Sequence, residues 1–394
     1  VAITGTRRVD PASPRTANLA AVLRALRAGP LSRTQLAARC GIAKSAVPGL
    51  LTELAGRGLV RPAGILPGNG RPSRLVELHG EDAYALALGI EADRLSALVT
   101  DLSGRVLAER AETVDVAALG LQRGMDELAD LAHRVLPGPP VGVAISVPGL
   151  VDSAAAVLRL APALRWRDAE IAGLMAARLN LPADAIAVDN DANLGALAET
   201  AAGAGDLFYL GGGTAVGGGL VSGGAILRGA RGFAGEVGHI AVDPSGERCS
   251  CGRTGCLETK ANLAAVLRAA APPGDPLHDP ALGVEGRVAQ LKHRVRQGDQ
   301  RAATAVHDLG VALGIALSTV VDVLDPDVVV LGGYFAELAD WLVEPIRVEL
   351  AVRPLGHARV VPSRLGLGAP LRGAAHLAAE RLFANPTLVE EASV

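Results

Sequence analysis

Aromatic residues are scarce: four Phe, two Trp and three Tyr make up 2% of a 394-residue chain that is 49% hydrophobic. A core with so few rings is built mainly from Ala, Val, Leu and Ile, and that aliphatic share excludes an intrinsically disordered chain. Cysteine is rarer still. Four in this length exclude a disulfide framework, and three of them, Cys249, Cys251 and Cys256, crowd into eight residues, which reads as metal chemistry in a reducing cytoplasm. Charge of one sign is not in excess: 38 basic against 41 acidic residues leave −3, which excludes a uniformly basic chain that coats nucleic acid. The longest uncharged run, Leu207 to Leu227, carries eight glycines with Thr214 and Ser222, unlike a spanning helix. The opening residues lack the apolar stretch of a signal peptide. No short tandem repeat is evident. The expectation is a soluble, cytoplasmic protein with no membrane partner, too long for one core and divided into two or three domains.

The charge balanced in the total is not balanced along the chain. Residues 1–80 hold eleven Arg and Lys44 against Asp10, Glu53 and Glu77, a net +9, which leaves 26 basic and 38 acidic residues, or −12, for 81–394. Residues 1–14, with Pro11 and Pro14 and no periodicity, read as a disordered arm. From Asn18 the pattern turns helical, with Leu19, Val22, Leu23 and Leu26 on one face and Gly29-Pro30 as the stop. Ser32-Arg33-Thr34-Gln35 writes a capping box for a short second helix that turns Leu36, Ala37 and Cys40 inward. Gly41 breaks it, and a third helix carries Val47, Leu50, Leu51 and Leu54. Pro48 inside that third helix removes a backbone donor, so the helix starts late or kinks. Strands near Val60 and Leu75–Leu78 flank a Gly68-Asn69-Gly70 turn. Three short helices and a hairpin over 15–80 predict a winged helix-turn-helix. Its basic charge favours a binder of the phosphate backbone over a helical adaptor. Lys44 and Ser45, near the start of the third helix, are then candidates for the major groove. Arg33 and Thr34 begin helix two and are candidates for phosphates, and Arg71 and Arg74 flank the wing. Each of these six, taken alone, is also an ordinary solvated side chain.

From Tyr84 onward strands and helices alternate, which predicts layered sheets with helices on their faces. Three motifs there carry chemistry. His239, Cys249, Cys251 and Cys256 offer one imidazole and three thiolates, a set that suits a closed, structural Zn²⁺ site with no open position for a catalytic water. Val188-Asp189-Asn190-Asp191-Ala192-Asn193 sits at a strand-to-helix junction, where Asp191 either receives a hydroxyl or, with Asn190, simply caps the helix. Gly232-Phe233-Ala234-Gly235-Glu236-Val237-Gly238-His239 ties the metal set to whatever Glu236 faces, and Glu258 follows the last Cys by two residues. Twelve of the 28 residues from Gly211 to Gly238 are glycine, as tight strand turns or as a cradle for phosphates.

Together CSCGRTGCLE (249–258), GFAGEVGHI (232–240), VDNDAN (188–193), ISVPGLVD (145–152) and VVVLGG (328–333) resemble the ROK family, which unites repressors, open reading frames and sugar kinases. The resemblance spans 16–385, and the N-terminal winged helix points to the repressor branch. It implies an α/β actin-like fold in 81–394, with two lobes, a sugar in the cleft between them and a C-terminal helix that returns to the first lobe. The implied pyranose site is Asn190, Asp191, Glu236, His239 and Glu258, with Gly149 bringing backbone close to the ligand. Ala163 stands where the family commonly has Asn. In the kinase branch Asp191 is the general base, and the first phosphate loop is an Asp-x-Gly-Gly-Thr-type hairpin. Residues 89–95 here read Gly-Ile-Glu-Ala-Asp-Arg-Leu, with no glycine pair and with Asp93 adding negative charge where phosphates would lie. The expectation is therefore a sugar-responsive regulator and not an enzyme, binding an operator in double-stranded DNA as a homodimer or dimer of dimers, with an ATP-dependent sugar kinase as the alternative.

Overall fold

The computed structural model describes residues 13–66, 73–201, 203, 205–352 and 358–391. The first helix, α1 (Pro14–Leu26), starts four residues before the onset expected from periodicity, because Ser13 caps it and Pro14 stands in its first turn. Then come β1 (Leu31–Ser32), α2 (Arg33–Cys40), α3 (Val47–Gly56), β2 (Val60–Leu66) and β3 (Ser73–Leu78). The capping box forms, Ser32 and Gln35 each satisfying the other's backbone amide, and Gly41 ends α2 in the left-handed conformation. Helix α3 starts late: Pro48 lies in its first turn, where no amide is needed, so the proline neither kinks nor breaks it. A small antiparallel sheet of order β1-β3-β2 completes a winged helix-turn-helix. The expected Gly68-Asn69-Gly70 turn lies outside the described residues.

The rest of the chain runs β4 (Tyr84–Ile90), β5 (Arg94–Thr100), β6 (Val106–Thr113), α4 (Val116–Val135), β7 (Pro140–Val147), β8 (Leu150–Asp152), β9 (Val157–Ala161), β10 (Trp166–Ala169), α5 (Ile171–Leu179), β11 (Ile186–Asn190) and α6 (Asp191–Ala201). It continues through β12 (Leu207–Gly212), β13 (Val216–Ser222), β14 (Ala225–Ile226), α7 (Leu257–Ala261), α8 (Leu263–Ala270), α9 (Gly283–Arg296), α10 (Gln300–Leu324), β15 (Val328–Gly333), α11 (Tyr334–Glu337), α12 (Ala339–Ala351), β16 (Arg359–Pro362) and α13 (Ala369–Ala384).

Two five-stranded sheets define two lobes, with orders β11-β7-β4-β5-β6 and β14-β13-β12-β15-β16. Each sheet opens with an antiparallel meander of three strands and then adds two parallel strands beyond the first. The lobes therefore repeat one topology in three dimensions, though the sequence shows no repeat. Each unit also ends in a helix, α6 and α13, and these two pack on each other between the lobes. At Gly373 the approach is so close that a Cβ would lie 1.8 Å from the Leu194 carbonyl oxygen. Helix α13 lies on β4 and β7 of the first lobe, and its Leu371, Ala374, Ala378, Leu382 and Phe383 share one apolar cluster with Leu19, Leu23 and Leu54 of the winged helix. Helix α10 is long and apolar enough to cross a membrane, but two-thirds of its most apolar window (67%) is buried in the second lobe, as a core helix should be.

Candidate functional site

The winged helix divides its basic residues into two groups. Arg15 and Arg57 pair with Glu53 at 2.6 and 3.1 Å, Arg61 with Glu77 at 2.8 Å, and Arg27 with Glu380. These cations hold the module together or to the first lobe. Arg24, Arg33, Arg39, Lys44 and Arg74 are exposed and have no acidic partner among the described residues. Thr34 is exposed beside Arg33 in the first turn of α2, and Lys44 and Ser45 are exposed in the turn that leads into α3. The exposed side of α3 itself offers Pro48, Gly49, Thr52, Ala55 and Gly56, so longer polar groups come from the turn before it. Arg39 was not singled out from sequence, although its place on the polar side of α2 is legible from the inward set Leu36 and Ala37. Arg71 lies outside the described residues.

Between the lobes is a cleft of about 270 Å³, lined by the β4–β5 turn, the end of β7, the start of α6, the β12–β13 turn, Glu236 and residues 367–371. Gly149, Asn190, Asp191 and Glu236 all line it. Asn190 is indeed a helix cap: its Oδ1 accepts from Ala192 N (2.8 Å) and Asn193 N (3.3 Å), while its Nδ2 donates to Gly149 O (3.0 Å). Gly149 has φ +110°, and a Cβ there would lie 2.2 Å from Leu160 O, so the packing of β8 on β9 alone demands glycine. Asp191 lines the cleft, and its carboxylate accepts from Ala192 N in its own turn (2.9 Å). Burial pushes this carboxyl up to about 6, against the lowering effect of the local amides and Asn190. Beneath it Asp189 is buried and holds Asn190 N (2.8 Å), Asn193 Nδ2 (3.1 Å) and Arg228 Nε (3.1 Å). Arg228 thus ties the glycine-rich loop that precedes Glu236 to the strand end that presents Asn190 and Asp191. It escaped the sequence reading because its partner is 39 residues away.

The β4–β5 turn is three residues long, closed by Glu91 N donating to Arg94 O (2.9 Å). Asp93, expected to face the cleft, does not line it; its carboxylate accepts from Arg287 of α9 (3.3 Å). Glu91 is the residue that lines the cleft. Arg94 pairs with Glu285, also of α9, so the turn is clamped to the second lobe by two ion pairs. On the facing side, Gly219 of β13 lies against α6, where a Cβ would meet Ala192 O at 2.4 Å. That glycine is required by packing, whereas Gly213-Thr214-Ala215 form the open turn at the cleft wall.

Glu236 stands beside the metal set. His239 Nε2 is 3.9 Å from Glu236 Oε2, while its Nδ1 is 3.6 Å from Cys249 Sγ. Cys251 and Cys256 Sγ are 3.6 Å apart, and the four donor atoms all fall within 4.8 Å of one another. Four ligands around Zn²⁺ with Zn–S bonds near 2.3 Å put sulfurs about 3.8 Å apart, so spacing and donor chemistry fit that ion. Glu258, on α7, accepts from Val216 N (3.5 Å) at the cleft wall; it and His239 stand behind Glu236 and not on the cleft surface. Ala163 sits half-buried in a short turn between β9 and β10, away from the cleft lining.

Residues 85–381 match the ROK family and residues 16–64 the IclR helix-turn-helix domain. Among curated relatives, the xylose repressor of Bacillus spizizenii is 27% identical over 375 residues, covering 91% of this chain and 93% of its own. The glucokinase of Streptomyces coelicolor is 30% identical over 323 residues, covering 75% and 98%. Among solved structures, a ROK family transcriptional regulator, a homologue of the E. coli MLC protein, aligns with a TM-score of 0.75 at 25% identity, covering 94% of this chain and 97% of that one. A ROK family glucokinase from Streptomyces griseus, solved with glucose and AMPPNP, aligns at 0.65 and 30% identity, covering 76% and 100%. The glucokinases cover about three-quarters of the chain, whereas the repressor and the regulator span nearly all of it. With two α/β lobes preceded by a helix-turn-helix, the chain belongs to the ROK family, in the branch that carries an N-terminal helix-turn-helix.

Proposed function

We propose that the chain is a sugar-responsive, DNA-binding transcriptional repressor whose effector, a monosaccharide or derivative, enters the interlobe cleft. The observation that carries this reading is that one chain joins unpaired cations on a winged helix to a carboxylate-lined cleft, with α13 packed against both. Arg33 and Thr34 hold operator phosphates, Lys44 and Ser45 read the major groove, and Arg71 and Arg74 probe beside the wing. Asn190, Asp191 and Glu236 receive sugar hydroxyls, supported by His239 and Glu258 from behind and by the Gly149 turn. Zn²⁺ on His239, Cys249, Cys251 and Cys256 acts as a structural clip that fixes the loop carrying Glu236. The protein works in the cytoplasm as a homodimer on a two-fold operator, or as a dimer of dimers.

Sugar favours one closure of the lobes over another, which is the only way a ligand shifts such an equilibrium. Closure moves α6, whose first residue is Asp191; α6 carries α13, and α13 carries the winged helix. A kinase needs a grip on ATP. The short β4–β5 turn, with Glu91 in the cleft and Asp93 spent on Arg287, supports a sensor without catalysis. A thermal-shift screen of monosaccharides with and without ATP tests the choice. The sensor is stabilised by sugar alone and leaves ATP intact; ATP-dependent phosphorylation of the sugar, lost in Asp191→Asn, overturns it.

A further inference from the structure

The cleft is short of positive charge. Its lining has four carboxylates, Glu91, Glu109, Asp191 and Glu236, and a single cation, Arg94. Arg94 is engaged by Glu285, and Glu109 is matched by Arg372 at 2.8 Å. Glu91 and Asp191 have no cationic partner, and Glu91 has neither a hydrogen-bond nor an ion-pair partner for its carboxylate among the described residues. Glu91 stands on the β4–β5 turn and Asp191 at the head of α6, both facing the same cavity. The groups around Glu91 are Asp93 and Arg94 on its own turn, Asp191 on α6 and Glu285 on α9. Glu91 is an exposed residue on the wall of the cleft; crowding of its carboxyl by the surrounding protein first, then the negative members of that set, push it up to about 7, with Arg94 pulling the other way.

An empty cleft of this kind holds a negative potential that walls of low dielectric concentrate. A phosphorylated or acidic sugar adds to the repulsion. A neutral sugar leaves it uncompensated. A protonated amine cancels it, and its three N–H donors can be shared between two carboxylates.

We propose that the effector is a monosaccharide with a free amine, its ammonium seated between Glu91 and Asp191. This rests on the cleft being the effector site. Glu91 is then the residue that sets specificity, and the degenerate phosphate loop has become the part that recognises the amine. A cation that settles beside a carboxyl titrating near neutrality drives off its proton, so binding at pH 7 releases protons.

The test is isothermal titration of the full-length protein at pH 7 in two buffers of different ionisation enthalpy. The ligands are glucosamine, galactosamine and mannosamine, each with its parent hexose, its N-acetyl derivative and its 6-phosphate. At least one amine is expected to bind tenfold or more tightly than its parent and its N-acetyl form, with net proton release, and the 6-phosphate to bind worst. Glu91→Gln is expected to abolish that preference and the proton release. An N-acetyl or phosphorylated sugar that binds best, or a preference that survives Glu91→Gln, overturns the proposal and leaves the sensor reading intact. If none of the sugars binds, the amine proposal falls, and the sensor reading is decided separately by the wider thermal-shift screen of monosaccharides.

Discussion

Asp191 and Asp189 are two residues apart and meet different fates. Asp189 is buried against Arg228 and two other donors, Asn190 N and Asn193 Nδ2, and serves as a fixed anion. Asp191 faces the cleft with little compensation and is pushed up to about 6 from an ordinary value of 3.8. Because the folded carboxyl then holds its proton more tightly than the unfolded one, the native state loses stability as pH rises from about 4 to about 6. Asp191→Asn removes that loss. Thermal melts of the ligand-free proteins should show the variant gaining on the wild type across this window and the difference levelling off above it. Arg228→Ala strands the Asp189 carboxylate without its cation. Since Arg228 is partly exposed, the expected cost is about 2 kcal/mol, below that of breaking a fully buried pair, read as a lower urea midpoint at unchanged slope. Sugar affinity should fall as well, because the loop to Glu236 loses its anchor.

Among the elements, the metal loop was the most legible part of the sequence and the β4–β5 turn the least. His239, Cys249, Cys251 and Cys256 lie within eighteen residues, and rare residue types at ligand spacing announce their chemistry without a fold. The clamp of Arg94 on Glu285 and Asp93 on Arg287 joins residues more than 190 positions apart, so no local pattern could show that Asp93 turns away and Glu91 turns in. Strand β6 left no signal either: its sequence VLAERAET is mostly exposed, and a half-solvated edge strand lacks the apolar alternation that marks its neighbours. The anomaly at Pro48 was visible, and the structure chose between the two outcomes it allowed. For the metal loop, Cys251→Ser removes a candidate ligand that is exposed. Metal analysis should find about one Zn²⁺ per chain in the wild type and far less in the variant, with a lower melting temperature. Full retention of the metal would sink the clip.

At the scale of the whole molecule, a near-neutral chain is a +9 module joined to a −12 body. That polarity was readable from the sequence; the joint was not. Arg27, just past the end of α1, lies 3.7 Å over the Phe383 ring and pairs with Glu380, which in turn approaches His376 at 3.6 Å. Burial, then Arg27, lowers the His376 pKa, so this seam of α1 on α13 is set by Arg27 and Glu380. The repeat of one topology in two lobes was equally hidden, because it resides in strand order and not in residue identity. Arg27→Ala should leave sugar binding intact while weakening the effect of sugar on operator affinity, since the polar part of the seam between α13 and the winged helix is lost and only the shared apolar cluster couples them. Titrations of sugar and of operator, done separately and together, check this.

The central claim is that DNA binding and sugar binding are coupled in one chain. Fluorescence anisotropy of the protein on DNA from upstream of its own gene, with and without the sugar that raises its melting temperature, tests it most directly. The account predicts sequence-specific binding that weakens steeply with salt and shifts at least tenfold when the sugar is added. Operator affinity that does not change with any sugar that binds the cleft would contradict it.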